Sequence, residues 1–491
     1  MRMRVLRCAA RIAAALAMVG AAVSPVRPPL AHGATAAHVD WSAVEKEATG
    51  FLSEYIRIDT SNPPGNETAA AQFLAARFRQ AGIAAEVFES APGRGSVLAR
   101  LRGAGGARPV ILLSHLDVVP ATPDGWEVPP FSGAVRDGYV YGRGALDCKG
   151  VGTIEALTLL LLKRTGTALK RDVIFLATAD EESGGKLGAG WMVEQQFDQF
   201  RGAEFVLNEG GDIHVFDDAA RAYEVAVSEK TPCWLRLTAT GEAGHGSMPP
   251  PQTAVTRLVR ALERIRRYQP RVRVTPEVAA YYAALAQLGN GTRNGRERRA
   301  RYKDLRRALA DPIFRKKFLS DPLDAALVRN TITPTVLTAS EKTNVIPRTA
   351  SAELDCRLLP GEDPDAFVRT ITEVIDDRAV TVVPLLNFPP SSSATDTPLF
   401  VALRLLAKRE GMVVLPSVLT GFTDSHYFRE KGIASYGFVP FALTDDDARR
   451  EHGINERMAT ANLRDGTRRL VELLQILNDE DTENGQRGHQ D

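Results

Sequence analysis

Cysteine is scarce in this sequence: four residues in 491, at Cys8, Cys148, Cys233 and Cys356. No two form a C-x-x-C pair, so a thiolate zinc site is not indicated, and the three scattered cysteines after Cys8 do not make a disulfide framework. Charge of one sign is lacking too. The 61 basic and 60 acidic side chains leave a formal net charge of +1, which offers no global field for nucleic acid or an anionic membrane. No internal repeat is visible. The Ala-rich apolar run from Ile12 to Val23 falls short of the ~20 residues that a spanning helix needs.

That run follows a basic start (Arg2, Arg4, Arg7, Arg11) and precedes small residues and prolines, including Ser24-Pro25 and Ala34-Thr35-Ala36-Ala37. The order is that of a secretory signal peptide, residues 1–36, cleaved somewhere between Ala22 and Ala37. It predicts a secreted or periplasmic protein with no stable membrane span after processing; an uncleaved anchor is the alternative. The whole chain is 44% hydrophobic and 25% charged, ordinary for a globular protein, and long enough for two or three domains.

Helical periodicity covers 41–57 and 67–82, and Val151 to Arg164 forms a strongly apolar helix. Between and after them come short apolar runs: Ala85 to Phe88, Val97 to Leu101, Val110 to Leu113, Asp172 to Ala179 and Phe205 to Asn208. Strands alternating with helices, most of them apolar throughout, predict an α/β fold with a mainly parallel sheet covered on both faces. The pattern changes near 229. Strands at Thr231–Gly241, Thr331–Leu337, Ala350–Leu358 and Val380–Pro384, with helices at Thr253–Tyr268 and Asp363–Ile375, follow the βαββαβ order of a split ferredoxin-like unit. The α/β pattern resumes with a helix from Pro398 to Arg409 and a closing helix from Asn462 to Leu477. The expected organisation is therefore a catalytic domain at 42–228 and 389–480, an inserted lid or dimerisation domain at 229–388 that is itself interrupted at about 276–330, and a disordered tail at 481–491. Within the interruption, Arg293 to Lys317 is basic with Tyr302 and Phe314 interleaved. A nucleic-acid patch is one reading; a solvated helical face with two core aromatics is the plainer and preferred one.

Residue types that bind metals cluster beside the apolar segments. Ser114-His115-Leu116-Asp117 follows Val110–Leu113. Gly142-Arg143-Gly144-Ala145-Leu146-Asp147 precedes the helix at 151. Asp180-Glu181-Glu182-Ser183-Gly184-Gly185 follows the strand ending at Ala179, and Glu209-Gly210-Gly211 closes another strand. Carboxyl ends of strands are where ligands gather in open α/β sheets. Each cluster alone has an ordinary explanation as a turn or a solvated loop. Three anions between a buried strand and a glycine pair are harder to dismiss, because crowded carboxylates repel unless a cation neutralises them. A late cluster, Glu451-His452-Gly453-Ile454-Asn455-Glu456-Arg457, adds a second imidazole.

With these segments the chain resembles the M20 family of metallopeptidases, which includes aminoacylases, acetylornithine deacetylase, succinyl-diaminopimelate desuccinylase and glutamate carboxypeptidase. The matching stretches are Ser114 to Pro120, Tyr141 to Gly150, Asp180 to Gly185, Gly244-His245-Gly246-Ser247 and His452 to Glu456. The resemblance spans about 42–478. It implies two zinc ions, with cobalt or manganese as chemical alternatives, held by His115, Asp147, Glu182, Glu209 and His452, with Asp147 shared between them. It implies Glu181 as general base on a metal-bridging water, Asp117 as the orienting partner of His115, and His245 as an oxyanion-stabilising group that reaches an active site, often that of a partner subunit. A homodimer through the lid domain follows from the same resemblance. Asn344, Arg357, Gly421 and Thr423 fall in segments resembling the family's substrate-gripping parts. Arg357 either grips a carboxylate or merely pairs with Asp355; both readings stand open. Glu209 occupies a position where several branches have Asp, and this points to the aminoacylase and carboxypeptidase S-like branches. The implied reaction is cleavage of an amide or peptide bond in a small peptide or N-acyl amino acid. The rival is a non-catalytic binding protein on the same scaffold, against which the presence of Glu181 beside all five ligands speaks.

Overall fold

Asp40 opens the first helix, Trp41–Ile56: its carboxylate accepts the amides of Ser42 at 3.0 Å and Ala43 at 3.2 Å, satisfying donors that a helix start leaves bare. The computed structural model describes residues 39–216, 220–288 and 299–487. The expected leader at 1–36 and residues 293–298 of the basic segment lie outside the described residues.

The apolar runs become the centre of a ten-stranded sheet. Val173–Thr178, Val110–His115 and Phe205–Asn208 lie side by side and parallel, and every residue in them is buried. Strand alternation sorts their side chains between two cores. Val110, Leu112, Val173, Phe175 and Ala177 join the core built with helices Trp41–Ile56, Lys149–Thr165, Pro398–Arg409 and the closing helix. Ile111, Leu113, Ile174 and Leu176 join a second core with Met192, Val193 and Phe428. Covering on both faces explains why these strands read as continuous apolar runs. Towards the edges the pairing becomes mixed. Ala84–Glu89 and Gly95–Leu101 are antiparallel, whereas Ala434–Gly437 runs parallel to Phe205–Asn208, and Val413–Leu419 parallel to Ala220–Glu229.

A separate four-stranded antiparallel sheet has the order Thr331–Thr338, Thr349–Leu358, Thr231–Thr240, Val380–Asn387. Helices Ala254–Arg267 and Pro364–Ile375 bury Leu235, Leu237, Ala239, Ala352 and Leu354 in a core of its own. This is the split βαββαβ unit, and the α/β fold class holds. The interruption is helical: Pro276–Leu288, Leu305–Ala308, Pro312–Phe318 and Pro322–Leu327. It rests on strand Val413–Leu419 through Val278, Tyr282, Phe318, Leu415 and Val418, with Tyr302 and Phe314 packed against them. Those two aromatics are packing residues, as the plainer reading expects.

Two stretches differ from expectation. Strands Ile213–Phe216 and Ala220–Glu229 occupy a region to which the sequence pattern assigns no element, because Arg221, Glu224 and Glu229 break up its apolar residues; pairing to neighbours on either side supplies the stability. The closing helix runs Thr460–Arg487, into the tail expected to be disordered from 481. Once a helix is nucleated each further residue adds a hydrogen bond, and no proline intervenes. Residues 488–491 lie outside the described residues.

Leu112 is fully buried on the central strand. Leu112→Ala is expected to lose about 2–5 kcal/mol, read as a lower urea midpoint at unchanged slope.

Candidate metal centre and active site

The three adjacent parallel strands end along one edge, and that edge carries His115, the Glu181-Glu182 turn and Glu209. Asp147 arrives from the turn before helix Lys149–Thr165, and His452 from the loop before strand Arg457–Ala459. His115 Nε2 lies 2.7 Å from Asp147 Oδ1 and 3.5 Å from Glu209 Oε2. His452 Nε2 lies 2.8 Å from Asp147 Oδ2 and 3.4 Å from Glu182 Oε1. Asp147 thus turns one oxygen to each imidazole. Ligand-type atoms form two groups, His115 with Asp147, Cys148 and Glu209, and Asp147 with Glu182 and His452; within each, all lie within 4.8 Å of one another. All five residues expected as ligands come together.

The charges in this cluster are unbalanced. Burial pushes Glu209 up to about 7 against the pull of His115. Burial and then the Glu209 charge raise Glu181 well above the usual carboxylate range. Burial would raise Asp147 as well, but His115 and His452 together hold it below that range. The neighbouring carboxylates, Asp147 first and then Glu182, push His452 up to about 10. Among the described residues Glu182 Oε1, buried, has no hydrogen-bond partner, the His452 ring nitrogen lying 3.4 Å away. Crowded carboxylates with an orphaned oxygen are what a divalent cation satisfies, and the nitrogen and oxygen donors fit zinc, cobalt or manganese. Cys148, which the sequence reading does not consider as a ligand, is the extra member of the first group. Burial and then Glu209 push its thiol up, so it stays protonated and a poor donor.

Asp117 meets His115 chiefly through its main chain. His115 Nδ1 is 3.0 Å from the Asp117 main-chain oxygen and 3.5 Å from its carboxylate, so the carbonyl is the nearer partner. The carboxylate instead accepts the amides of Glu181 at 3.1 Å and Glu182 at 3.2 Å, which fixes the turn that bears them.

A cavity of about 710 Å³ opens onto Asp147, Glu181, Glu182, Glu209 and His452, and Arg357, Gly421, Phe422 and Thr423 also line it. Arg357 pairs with Asp355 through Nε at 2.7 Å and Nη2 at 3.2 Å. Its Nη1 is buried and has no hydrogen-bond partner among the described residues, and the guanidinium lies over the rings of Phe422 at 5.1 Å and Trp234 at 5.6 Å. The two open readings are therefore compatible. The Thr423 hydroxyl donates to Glu229 at 2.7 Å, so it braces its loop. His245 and Asn344 are not brought to this cavity. They sit on an exposed two-stranded ribbon, Gly244–His245 with Val345–Ile346, where the Gly246 amide donates to the Asn344 oxygen at 2.8 Å, and His245 Nδ1 meets Ser247 Oγ at 2.7 Å.

Sequence reasoning assigned no role to Asn62, Arg94, Arg143 or Glu456. Asn62 donates to Asp117 at 2.8 Å, and Arg94 donates to Asn62 at 3.2 Å and pairs with Asp180. Glu456, fully buried, accepts the amides of Leu146 at 2.8 Å and Asp147 at 3.2 Å. It also pairs with Arg143 at 2.6 Å, whose other nitrogen donates to the His452 carbonyl at 3.1 Å. The prior signals were that Glu456 closes the His452 motif and that Arg143 lies in the cluster ending at Asp147. Glu456→Gln is expected to weaken zinc affinity about 10–100-fold, measured by competition with a chromogenic chelator, with the far-ultraviolet circular dichroism retained.

The chain is similar to known proteins along most of its length. A family model for peptidase family M20/M25/M40 matches residues 111–476. The N-fatty-acyl-amino acid synthase/hydrolase PM20D1 of Xenopus tropicalis is 32% identical over 397 residues, 77% of this chain and 73% of that protein. Aminoacylase-1 of Mus musculus is 28% identical over 408 residues, 82% of this chain and 88% of that one. Among solved structures, the M20 family metallo-carboxypeptidase Sso-CP2 of Sulfolobus solfataricus is similar with a TM-score of 0.68 at 18% identity, covering 88% of this chain and 99% of that one. The chain belongs to peptidase family M20/M25/M40 and is a hydrolase of peptide or amide bonds.

Proposed function

We propose that the protein hydrolyses the amide bond of N-acyl amino acids, recognising the free carboxylate beside that bond. The observation that carries this is Arg357 Nη1, buried and unpartnered in the wall of the cavity that also holds both ligand groups and Glu181. A carboxylate satisfies that donor through a charge-assisted bond, stronger than a neutral one. The Asp355 pair and the flanking rings hold the guanidinium in place. The acyl side is supported by an apolar wall of Val151, Leu419, Val439, Phe441 and Leu443 in the same cavity, and by relatives named N-fatty-acyl-amino acid synthase/hydrolase and aminoacylase-1.

His115, Asp147 and Glu209 would hold one ion and Asp147, Glu182 and His452 the other, with zinc the preferred metal. When bound, such a pair supplies Lewis-acid polarisation of the scissile carbonyl and a lowered pKa for the attacking water. Glu181, raised by burial and set in place by the Asp117 carboxylate, takes the proton from that water and delivers it to the leaving nitrogen. Arg357 holds the substrate so that its carbonyl faces Glu181. His245 and Asn344, exposed together on their ribbon, would act on the site of a second copy in a homodimer. The leader at 1–36 would place the enzyme outside the cytoplasm. A second reading, a carboxypeptidase acting on small peptides, is favoured by the carboxylate donor itself, which a peptide C-terminus satisfies equally, and by the metallo-carboxypeptidase among the structural neighbours.

The test is a panel of N-acyl amino acids, dipeptides and the same compounds with the carboxylate amidated, assayed on zinc-loaded protein. We expect hydrolysis of the free acids and about 10–100-fold weaker kcat/KM for the amidated forms, the scale of one charged hydrogen bond. Glu181→Gln is expected to lower kcat by about 10²–10⁴ with metal content unchanged. Equal hydrolysis of amidated and free forms overturns the carboxylate reading, and full activity in Glu181→Gln overturns its role as base.

A further inference from the structure

The helical insertion at 276–327 reaches the active-site cavity. Leu323, at the start of helix Pro322–Leu327, lines the cavity that holds the metal ligands. It also lines a second chamber of about 90 Å³ with Val278, Tyr281, Leu327 and Val418. Glu224, Leu419 and Thr420 border both spaces as well, so the chamber adjoins the main cavity behind Leu323. Leu323 is 56% exposed, unusual for a leucine on an element anchored so firmly. Asp321 caps its helix by accepting the Asp324 amide at 3.0 Å, and Tyr282 donates to the Asp324 carboxylate at 2.5 Å. The buried Lys230 amine donates to the carbonyls of Ala326 at 3.0 Å and Arg329 at 2.9 Å. A fixed apolar side chain held between two adjoining spaces is a built wall, since a rigid element positions a contact better than a loop does. The one carboxylate at the junction, Glu224, is pushed by burial up to about 7, which lowers the cost of apolar matter beside it.

We propose that the insertion is the length gauge of this enzyme: a long linear acyl chain runs from the scissile carbonyl along Leu419, passes Leu323 and ends in the chamber beneath Tyr281. The inference rests on the N-acyl amino acid reading above and specifies its acyl group. Each methylene laid against that wall adds about 4-fold to kcat/KM until the chamber is full.

The experiment measures kcat/KM for N-acyl-leucines from acetyl to palmitoyl, below their micelle-forming concentrations, with the zinc-loaded full chain. The expected result is a rise with chain length followed by a plateau. Leu323→Asp, at a position exposed enough to accept a charge, is expected to lower the palmitoyl-to-acetyl ratio about 10-fold or more, and Leu323→Trp to move the plateau to shorter chains. A profile flat in chain length, or a ratio untouched by both variants, overturns the gauge and leaves the proposed function standing. Hydrolysis of none of the series, acetyl included, overturns both.

Discussion

Asp147 stands between two imidazoles, 2.7 Å from His115 and 2.8 Å from His452, and the rest of the site is arranged around that single carboxylate. Its two oxygens point to different partners, so whatever satisfies one group of ligands shares an anion with the other. Neither histidine comes from a nearby stretch of chain. One ends a central strand, and the other is delivered by a loop over three hundred residues later. The central sheet sets the position of the first, and hydrogen bonds that leave Asp147 free to face both set the second.

Those bonds come from buried charges that never face the substrate cavity. Glu456 takes the amides of Leu146 and Asp147 and, through Arg143, the carbonyl of His452. One carboxylate therefore holds both Asp147 and the loop bearing the second imidazole. Asp117 does the same for the Glu181-Glu182 turn and is backed by Asn62 and Arg94. Outer partners of this kind fix ligand orientation. Buried ions are costly when left alone, and here each has several donors or a counter-ion.

The apolar centre of the fold could be read directly, because strands buried on both faces need no polar residues: Val110–Leu113 and Ile174–Ala177 could hardly be anything else. The candidate ligands could be picked out because they are the wrong residues for such strand ends. Glu456, Arg143, Asn62 and Arg94 could not, since a buried Glu or Arg looks in sequence like a solvated one, and the contact from Asn62 to Asp117 spans 55 positions and that from Leu146 to Glu456 spans 310. The strand Ala220–Glu229 was hidden by its charges. The insertion read as a basic surface because its apolar residues meet strand Val413–Leu419 only in three dimensions. His245 and Asn344 were grouped with the site by resemblance, and the fold of one chain keeps them on their own ribbon instead.

The central claim is that one aspartate joins two metal half-sites. Elemental analysis after equilibrium dialysis against zinc tests it most directly. The account predicts two ions per wild-type chain, loss of both in Asp147→Ala, and retention of one when Glu209→Ala or Glu182→Ala removes a ligand from a single group. One ion per wild-type chain, or two retained in Asp147→Ala, would contradict it.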